Sequence, residues 1–354
     1  MLAEGVFYLE TPKGVFMTEQ TKKKWGMVQR FVPVFLAVLA LAFLFAPMFT
    51  LYFKDKSVEP TLKWNESVNI IDYLKNFQPL HFTFILFLVF VVIGIIFAII
   101  YDKNKTFGFI SIMSLILGLS LFIMQSGFYV YNNVHAYNEA KLAWGGIVTS
   151  VLLAFSILTE FIVSYRKNQM TIRDIAEDGM LIAMALILNF IKIPIGATGG
   201  SINLQMLPLF LIALRHGPLQ GFIASGIIYG FISCLADVYP LSCYPFDYLI
   251  GFGGTAAIGI FSNLILKDKT DYNASGELFI FLGGVLGTLI RWFGSTLSSV
   301  INYGTTFTEG LAYNIIYVLP SGLITTVILM VLYGPIIKVN NFANKSKTVS
   351  QDNE

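Results

Sequence analysis

The feature that most constrains the fold is a series of long apolar runs along almost the whole chain. Four come first, at about Phe31 to Phe53, His81 to Tyr101, Phe107 to Tyr131 and Trp144 to Tyr165. Each is close to the ~20 residues that a helix needs to cross a bilayer. Because 56% of the residues are hydrophobic and only 12% are charged, the composition excludes an ordinary soluble globule and predicts an all-α polytopic membrane protein.

The second half of the chain carries shorter apolar runs that are interrupted by glycine and by polar residues. We expect six helices, at about Gly179 to Ile195, Leu204 to Leu214, Leu219 to Ala236, Phe246 to Leu266, Leu278 to Val300 and Leu311 to Ile337. These runs contain Asn189, Asn203, Gln205, Asp247, Arg291 and Asn314. Polar groups are costly inside a membrane and usually face a cavity or a partner. The sequence therefore predicts a four-helix membrane region over residues 1–170, a six-helix binding module over 171–340 and a cytoplasmic tail over 341–354.

The distribution of lysine and arginine predicts the orientation. With the N-terminus inside, 16 of the 23 basic residues fall in cytoplasmic segments, 6 fall outside and Arg291 lies within a span. The positive-inside rule then places both termini in the cytoplasm. The first apolar run is long enough to span a bilayer, so we expect no cleavable signal peptide. Met17, just before a basic cluster, is an alternative start to Met1.

A glycine-rich turn that runs into a short apolar helix, Thr198 to Arg215, is the most distinctive local stretch. Glycine allows a ligand to approach the main chain closely, so Gly199, Gly200 and Ser201 have the character of a binding loop. A tight turn between two membrane helices explains the same residues. In the predicted topology this turn shares the outer face with the loops Asp237 to Pro245 and Asn302 to Gly310, and the three segments can converge on one externally open site.

Several side chains near that face suit a small, partly cationic ligand. Asp247 either complements a helix N-terminus or neutralises a cation. Tyr248, Tyr303 and Tyr313 offer cation–π contacts of about 1 kcal/mol each or serve as interfacial anchors. Arg291 either pairs with Asp247 or forms the floor of a polar cavity.

Amide side chains in the same half suit a heteroaromatic ring with nitrogen edges. Asn203, Gln205 and Asn314 supply donors and acceptors of this kind. For Asn314 the alternative is a helix-to-helix hydrogen bond of about 1 kcal/mol. Glu309 is expected to be solvated.

Small residues at Ala176, Gly179 and Ala183 form a stripe that lets another helix approach closely. Packing within the chain is the ordinary interpretation, and docking of a separate membrane subunit is the sharper one. Cys234 and Cys243 show no metal-ligand spacing, although a disulfide is open to them if both face outside. We expect neither a metal nor a cofactor.

Four blocks of the second half, in order, are similar to a known family. They are GGSINLQMLPLFLIALRHG, PFDYLIGFGGTAAIGIF, GTLIRWFG and LAYNIIYVLPSG. The stretch of about Thr171 to Lys338 resembles the S components of energy-coupling factor (ECF) transporters, most closely the thiamine-binding branch. The resemblance implies a six-helix module that binds its vitamin from outside and associates with a shared membrane subunit and two ATPases.

Carried over by position, Asp247 corresponds to the acidic residue that faces the thiazolium and Tyr248 to its aromatic neighbour. Arg291 corresponds to the basic residue of the fifth helix, and Asn314 to the amide of the sixth. The chain departs from the family pattern in having Ser295 in place of a frequent histidine and Glu309 in place of a frequent tyrosine. It also has Gly199 and Asn203 where some members have Trp and Glu. The first four helices lie outside the resemblance and are interpreted as an accessory membrane domain.

An S component for a different vitamin is the first alternative, and three other classes of protein are possible. An ion-coupled carrier fits intramembrane polar residues, but the two halves look too dissimilar for an inverted repeat. An enzyme is disfavoured because the histidines are scattered and no HExxH motif occurs. A membrane scaffold is the remaining alternative. No GxxxxGK[ST] loop is present, so any ATPase must be a separate subunit.

Overall fold

The computed structural model describes residues 19–53, 65–75, 82–100, 106–132, 137–166, 170–195, 200–266 and 272–341. For residues 19–30, 52–53, 65–66, 126–132 and 137–139 it describes the backbone alone. Met1, Met17 and Gly199 lie outside the described residues. As the composition predicts, almost all of the described chain is helical.

The first half contains the four expected long helices and one short one. Their bounds are α1 Glu19–Ala42, α2 Ile70–Lys75, α3 Phe82–Ile100, α4 Thr106–Asn132 and α5 Trp144–Arg166. The apolar runs thus predict α3, α4 and α5 to within one or two residues.

The length of the first apolar run predicts one continuous helix, and this prediction is wrong. Its helix ends through a 3₁₀ turn at Phe43–Phe45, and Phe49–Phe53 form strand β1. Pro47 separates the two, and proline cannot continue a helix. Strand β1 pairs with β2 (Asn65–Val68) and β3 (Tyr137–Leu142) in an antiparallel sheet of order β2-β1-β3. This sheet joins the ends of α1 and α5 on the predicted outer side.

The second half forms six helices in the expected order. They are α6 Ile172–Phe190, α7 Met206–His216, α8 Pro218–Ala236, α9 Leu241–Leu266, α10 Ala274–Tyr303 and α11 Phe307–Val331. A further short helix follows over residues 333–341. Between α6 and α7, strands β4 (Lys192–Ile195) and β5 (Gly200–Asn203) make an antiparallel hairpin that pairs Lys192 with Asn203.

Seven of the described helices are long and apolar enough to cross a membrane, namely α3, α4, α5, α8, α9, α10 and α11. The chain is therefore a multi-pass membrane protein. Helix α7 has only 11 residues, or about 16 Å of length, which is half of a bilayer core of about 30 Å. Strand β5 precedes α7 and extends the chain from the N-terminal end of this short helix.

Helix starts in the second half use side-chain caps that the sequence encodes. Thr171 and Asp174 form a capping box at α6, and Thr306 and Glu309 form another at α11. In each box the Thr hydroxyl accepts from the third backbone N–H, and the carboxylate accepts from the Thr backbone N–H. Glu309 therefore has a structural role at the helix start.

Helices α8 and α9 are irregular in their middle. The segment Ile223–Tyr229 of α8 and the segment Tyr244–Ile250 of α9 are π-helical, and Gly254–Phe261 of α9 is a 3₁₀ helix. π-Helical turns are frequent at functional sites because they shift the side chains that follow. The segment in α9 carries Asp247 and Tyr248.

The two halves share their hydrophobic cores. One core joins the first-half residues Phe84, Phe87 and Phe122 to Phe246, Ile250 and Leu297 of the second half. Another joins Phe109, Ile112 and Met113 of α4 to side chains of α7, α8 and α9. The division at residue 170 that we infer from the sequence therefore does not separate two independent cores.

Candidate functional site

A cavity of about 730 Å³ opens at the predicted outer end of the second half. Its walls come from the end of α6, the β4–β5 hairpin, the α8–α9 connection, α9, α10 and the start of α11. The volume falls in the range of about 300–1,000 Å³ that is typical of small-molecule sites. The structure thus confirms that the glycine-rich turn and the two other outer segments converge.

All eight residues that the sequence nominates for binding line this cavity. They are Ser201, Asn203, Gln205, Asp247, Tyr248, Arg291, Tyr303 and Asn314. These residues are separated by up to 113 positions in the chain, and the fold brings them together from β5, the β5–α7 turn, α9, α10 and α11. Their roles toward a ligand stay predictions.

Asp247 is held by a neighbour on the next helix. The Ser295 hydroxyl donates to its Oδ1 at 2.5 Å. The other carboxylate oxygen has no hydrogen-bond partner among the residues described in this structure, and Asp247 lines the cavity. Ser295, where the family often has histidine, therefore orients this carboxylate from α10.

Arg291 is buried at 5% exposure in the wall of the cavity. Its guanidinium carbon lies 4.2 Å from the centroid of the Phe252 ring, a cation–π geometry. Its Nε and Nη1 have no hydrogen-bond partner within the described part of the chain. The suggested ion pair with Asp247 is not formed, and the carboxylate accepts a hydrogen bond from Ser295. Arg291 instead lines the cavity, in agreement with the other expectation, that it forms part of a polar cavity.

Asp237, which sequence reasoning passed over, is a second carboxylate in the cavity wall. Its Oδ1 accepts from Asn189 Nδ2 at 3.2 Å, and its Oδ2 accepts from the Tyr248 hydroxyl at 3.0 Å and from Ser233 Oγ at 3.3 Å. The hydroxyl of Tyr248 thus points at Asp237. The available signals were an acid at the predicted outer end of a helix and the polar Asn189.

The glycine-rich turn lies against α11. The Gly200 N–H donates to the Tyr313 hydroxyl at 3.0 Å. A Cβ at Gly200 would lie 2.6 Å from the Tyr317 ring, so only glycine fits without displacing that ring. The Ser321 hydroxyl accepts from the Asn203 N–H at 3.4 Å and so also joins β5 to α11.

Two amides of the turn complete this wall. Gln205 accepts a short hydrogen bond from the buried Tyr229 hydroxyl through its Oε1. Asn203 donates to Ser201 Oγ at 3.4 Å. Both amides are almost fully buried yet line the cavity.

Asn314 makes an interhelical hydrogen bond, the alternative role that the sequence analysis gives it. Its Nδ2 donates to Ser299 Oγ of α10 at 2.8 Å and to the Gly310 carbonyl at 2.7 Å. Its Oδ1 accepts a short bond from the Tyr317 hydroxyl. Both amide protons are therefore in use, and the carbonyl oxygen keeps one further acceptor position.

The rim of the cavity carries the aromatic residues Tyr239 and Tyr303, which contact Cys234 and Cys243. Tyr303 is 57% exposed and contacts Cys243 Sγ at 3.8 Å through its hydroxyl. Burial raises the pKa of Tyr239, and the nearby carboxylates of Asp247 and Asp237 raise it further, so this phenol stays neutral. Cys234 and Cys243 are both buried free thiols rather than a disulfide.

The ionisable groups of the cavity favour a cation. Three carboxylates, Asp237, Asp247 and Glu309, face two basic residues, Lys192 and Arg291. Within the described residues no cluster of three or more His, Cys, Asp or Glu side chains is arranged to hold a metal. The acidic side chains of the lining thus exceed the basic ones by one.

The small-residue stripe lies away from the cavity and is not packed within the chain. Ala176, Gly179 and Ala183 are exposed on α6, and no atom lies within 4 Å of a Cβ built at Gly179. Intramolecular packing, the ordinary interpretation of this stripe, is therefore wrong. Docking of another subunit stays a prediction.

Comparison with known proteins finds matches to the second half of the chain. Residues 175–341 match the family described as thiamine transporter protein (Thia_YuaJ). The chain is 26% identical over 174 residues to the thiamine transporter ThiT of Bacillus subtilis (strain 168), which covers 44% of this chain and 88% of that protein. It is 33% identical over 136 residues to an uncharacterized Pyrococcus woesei protein, covering 38% of this chain and 82% of the relative.

A solved structure of ThiT from Listeria monocytogenes is also similar. It is 23% identical in sequence and aligns with a TM-score of 0.38 over 45% of this chain and 92% of the solved one.

Proposed function

The chain belongs to the thiamine transporter protein family through residues 175–341, and from this membership we propose that it captures thiamine as the substrate-binding subunit of an ECF-type uptake transporter. The family is one of transporters and not of enzymes. The vitamin enters the cavity from the outer face, and both termini lie in the cytoplasm, as the distribution of basic residues favours.

The observation that carries this proposal is the arrangement of Asp247 in the cavity. Ser295 holds one carboxylate oxygen at 2.5 Å and leaves the other toward the ligand. Thiamine has a permanently charged thiazolium ring, and a carboxylate in a partly desolvated cavity stabilises such a cation more than it would in water.

The remaining lining residues take complementary roles. Tyr248 and Tyr303 pack on the cationic ring. Ser201, Asn203, Gln205 and Asn314 supply hydrogen bonds to the nitrogen edges of the aminopyrimidine. Arg291, fixed over Phe252, closes the inner wall.

Energy for uptake comes from separate subunits. We infer that the exposed stripe Ala176, Gly179 and Ala183 on α6 receives the ECF transmembrane subunit, which in turn binds two ATPase subunits. Small residues allow the closest approach of two helices in a bilayer.

The replacement Asp247→Asn tests the assignment. It keeps a hydrogen-bond acceptor for Ser295 but removes the negative charge, so thiamine affinity should fall more than tenfold, or more than ~1.4 kcal/mol. Calorimetric titration of the purified, detergent-solubilised chain measures this change. Glu309→Gln is the matched control, because this carboxylate is also in the lining but is bound to the Thr306 N–H at 2.8 Å. Equal affinities of Asp247→Asn and the unaltered chain would exclude the counter-charge role.

The same titration with riboflavin, folate, pantothenate and pyridoxal tests the choice of vitamin. Tight binding of thiamine alone is expected. Tight binding of another vitamin in its place would exclude the thiamine assignment. The departures from the family pattern at Ser295 and Glu309 would then be assigned to the altered vitamin specificity.

A further inference from the structure

Helix α10 has two faces with different neighbours. Arg291, Ser295 and Ser298 line the cavity. Ile290, Phe293 and Leu297, which alternate with them along the helix, pack in the hydrophobic core of the first half of the chain. A displacement of that core would therefore move the cavity-lining face of α10.

Helix α9 is arranged in the same way. Asp247 faces the cavity, whereas its neighbour Phe246 and Ile250, three residues further, are buried in the core that contains Phe84 and Phe87 of α3. Because Asp247 lies one residue from this contact, its position depends on the packing behind it. Side chains of the first half thus lie directly behind two of the binding residues.

The start of α11 is linked to the first half by an aromatic chain. The ring centroid of Phe307 lies 6.3 Å from that of Phe82 at the start of α3 and 6.4 Å from that of Phe293 in α10. Thr305 and Glu309, two residues to either side of Phe307, line the cavity. The rim of the cavity at the α10–α11 connection therefore rests on α3.

The opposite side of the module shows no comparable support. Helix α6 packs mainly on α7 and on the π-helical part of α8. Its outward side chains Met180 and Ile187 are 67% and 61% exposed. The first half thus covers α9 and α10 and leaves the proposed docking face of α6 open.

We propose that the first half of the chain is a built-in brace of the binding cavity, which holds α9, α10 and the start of α11 in position and so slows release of the vitamin. The proposal rests on the proposed function, because the ligand that reports on it is thiamine. It assigns a role to the four helices that lie outside the family match.

Phe82 offers the sharpest test. It is 41% exposed, so Phe82→Ala leaves no large internal void, and the chain should still fold. Loss of the ring contact with Phe307 frees the rim, and thiamine dissociation should become about three- to tenfold faster, as expected for one aromatic pair. Stopped-flow fluorescence can follow dissociation through Trp292, which lies beside Arg291 and donates to the Leu311 carbonyl at 3.0 Å.

Phe97→Ala is the matched control. Phe97 lies on the same helix as Phe82, but its ring pairs at 5.2 Å with Phe107, within the first half. Its loss should leave the dissociation rate unchanged. Adding Phe82→Ala to Phe307→Ala should produce little further change, because the two rings act through one contact.

Equal dissociation rates for Phe82→Ala, Phe97→Ala and the unaltered chain would overturn the brace, and so would fully additive effects of Phe82→Ala and Phe307→Ala. Failure of the unaltered chain to bind thiamine would instead overturn the proposed function on which the brace rests. Retention of slow release by Phe82→Leu, which keeps apolar volume at this position, would support packing as the cause.

Discussion

The two halves of this chain both bury polar side chains in the membrane, but they use them differently. In the first half, Ser111 donates to the Gly94 carbonyl at 2.9 Å and Ser156 to the Pro33 carbonyl at 2.7 Å. Gln125 joins Thr83 and Tyr73 in a hydrogen-bond network. In the second half, Arg291 has no hydrogen-bond partner for Nε and Nη1 among the described residues, and Asp247 accepts one hydrogen bond, from Ser295, beside the cavity.

The difference teaches that a polar residue in a membrane helix does not by itself indicate a site. The polar groups named in the first half end on backbone carbonyls or on each other, which stabilises helix packing. Asp247 and Arg291 border a cavity, where a ligand can complete their hydrogen bonds. Spare hydrogen-bonding capacity beside a cavity, and not polarity alone, distinguishes these two residues.

The largest effect that we expect is a difference in stability between alanine replacements of two glycines, one in each half. The two glycines differ in the rigidity of the atoms that a new Cβ would meet. A Cβ at Gly294 would lie 2.6 Å from the Phe246 carbonyl and 2.9 Å from the Gly251 nitrogen, whereas one at Gly94 would meet mainly the flexible Leu115 side chain. Gly294→Ala should therefore cost about 3 kcal/mol of stability and Gly94→Ala about 1 kcal/mol, because backbone atoms cannot rotate away. Thermal unfolding in detergent measures both, and equal losses would contradict the comparison.

A smaller effect should separate two buried amides. Gln125→Ala and Asn314→Ala each remove hydrogen bonds from a buried network and should each cost roughly 1–3 kcal/mol of stability. Only Asn314 lines the cavity, so only Asn314→Ala should weaken thiamine binding. Unfolding and titration of both variants make the test, and a matching loss of affinity in Gln125→Ala would erase the distinction between the halves.

The smallest effect concerns the open face of α6. Gly179→Ala should stabilise the helix by about 0.5–1 kcal/mol, since alanine is the better helix former and nothing opposes its Cβ. The bulkier Gly179→Leu should leave thiamine affinity unchanged in detergent and lower uptake by cells that hold the complete transporter. Normal uptake with Gly179→Leu would argue against docking at this stripe.

Much of the fold follows from local pattern. The runs His81 to Tyr101 and Trp144 to Tyr165 predict α3 and α5 closely, because length and hydropathy suffice to identify a membrane helix. The strand at Phe49–Phe53 escaped prediction because its residues are as apolar as the helix before them. Pro47 was the available signal, but the partners of the strand, at residues 65–68 and 137–142, are too distant in sequence to be recognised from it.

The sequence by itself determined the membrane class, the order of the helices, the concentration of polar residues in the second half and eight of the residues that line the cavity. The tertiary structure decided which of their atoms stay available. It placed Ser295 against Asp247 and left Nε and Nη1 of Arg291 without a hydrogen-bond partner among the described residues. It also added Asp237 to the wall and set the first half behind α9 and α10. Hydropathy is a property of each segment alone, whereas hydrogen-bond partners and packing neighbours are set only when distant segments meet.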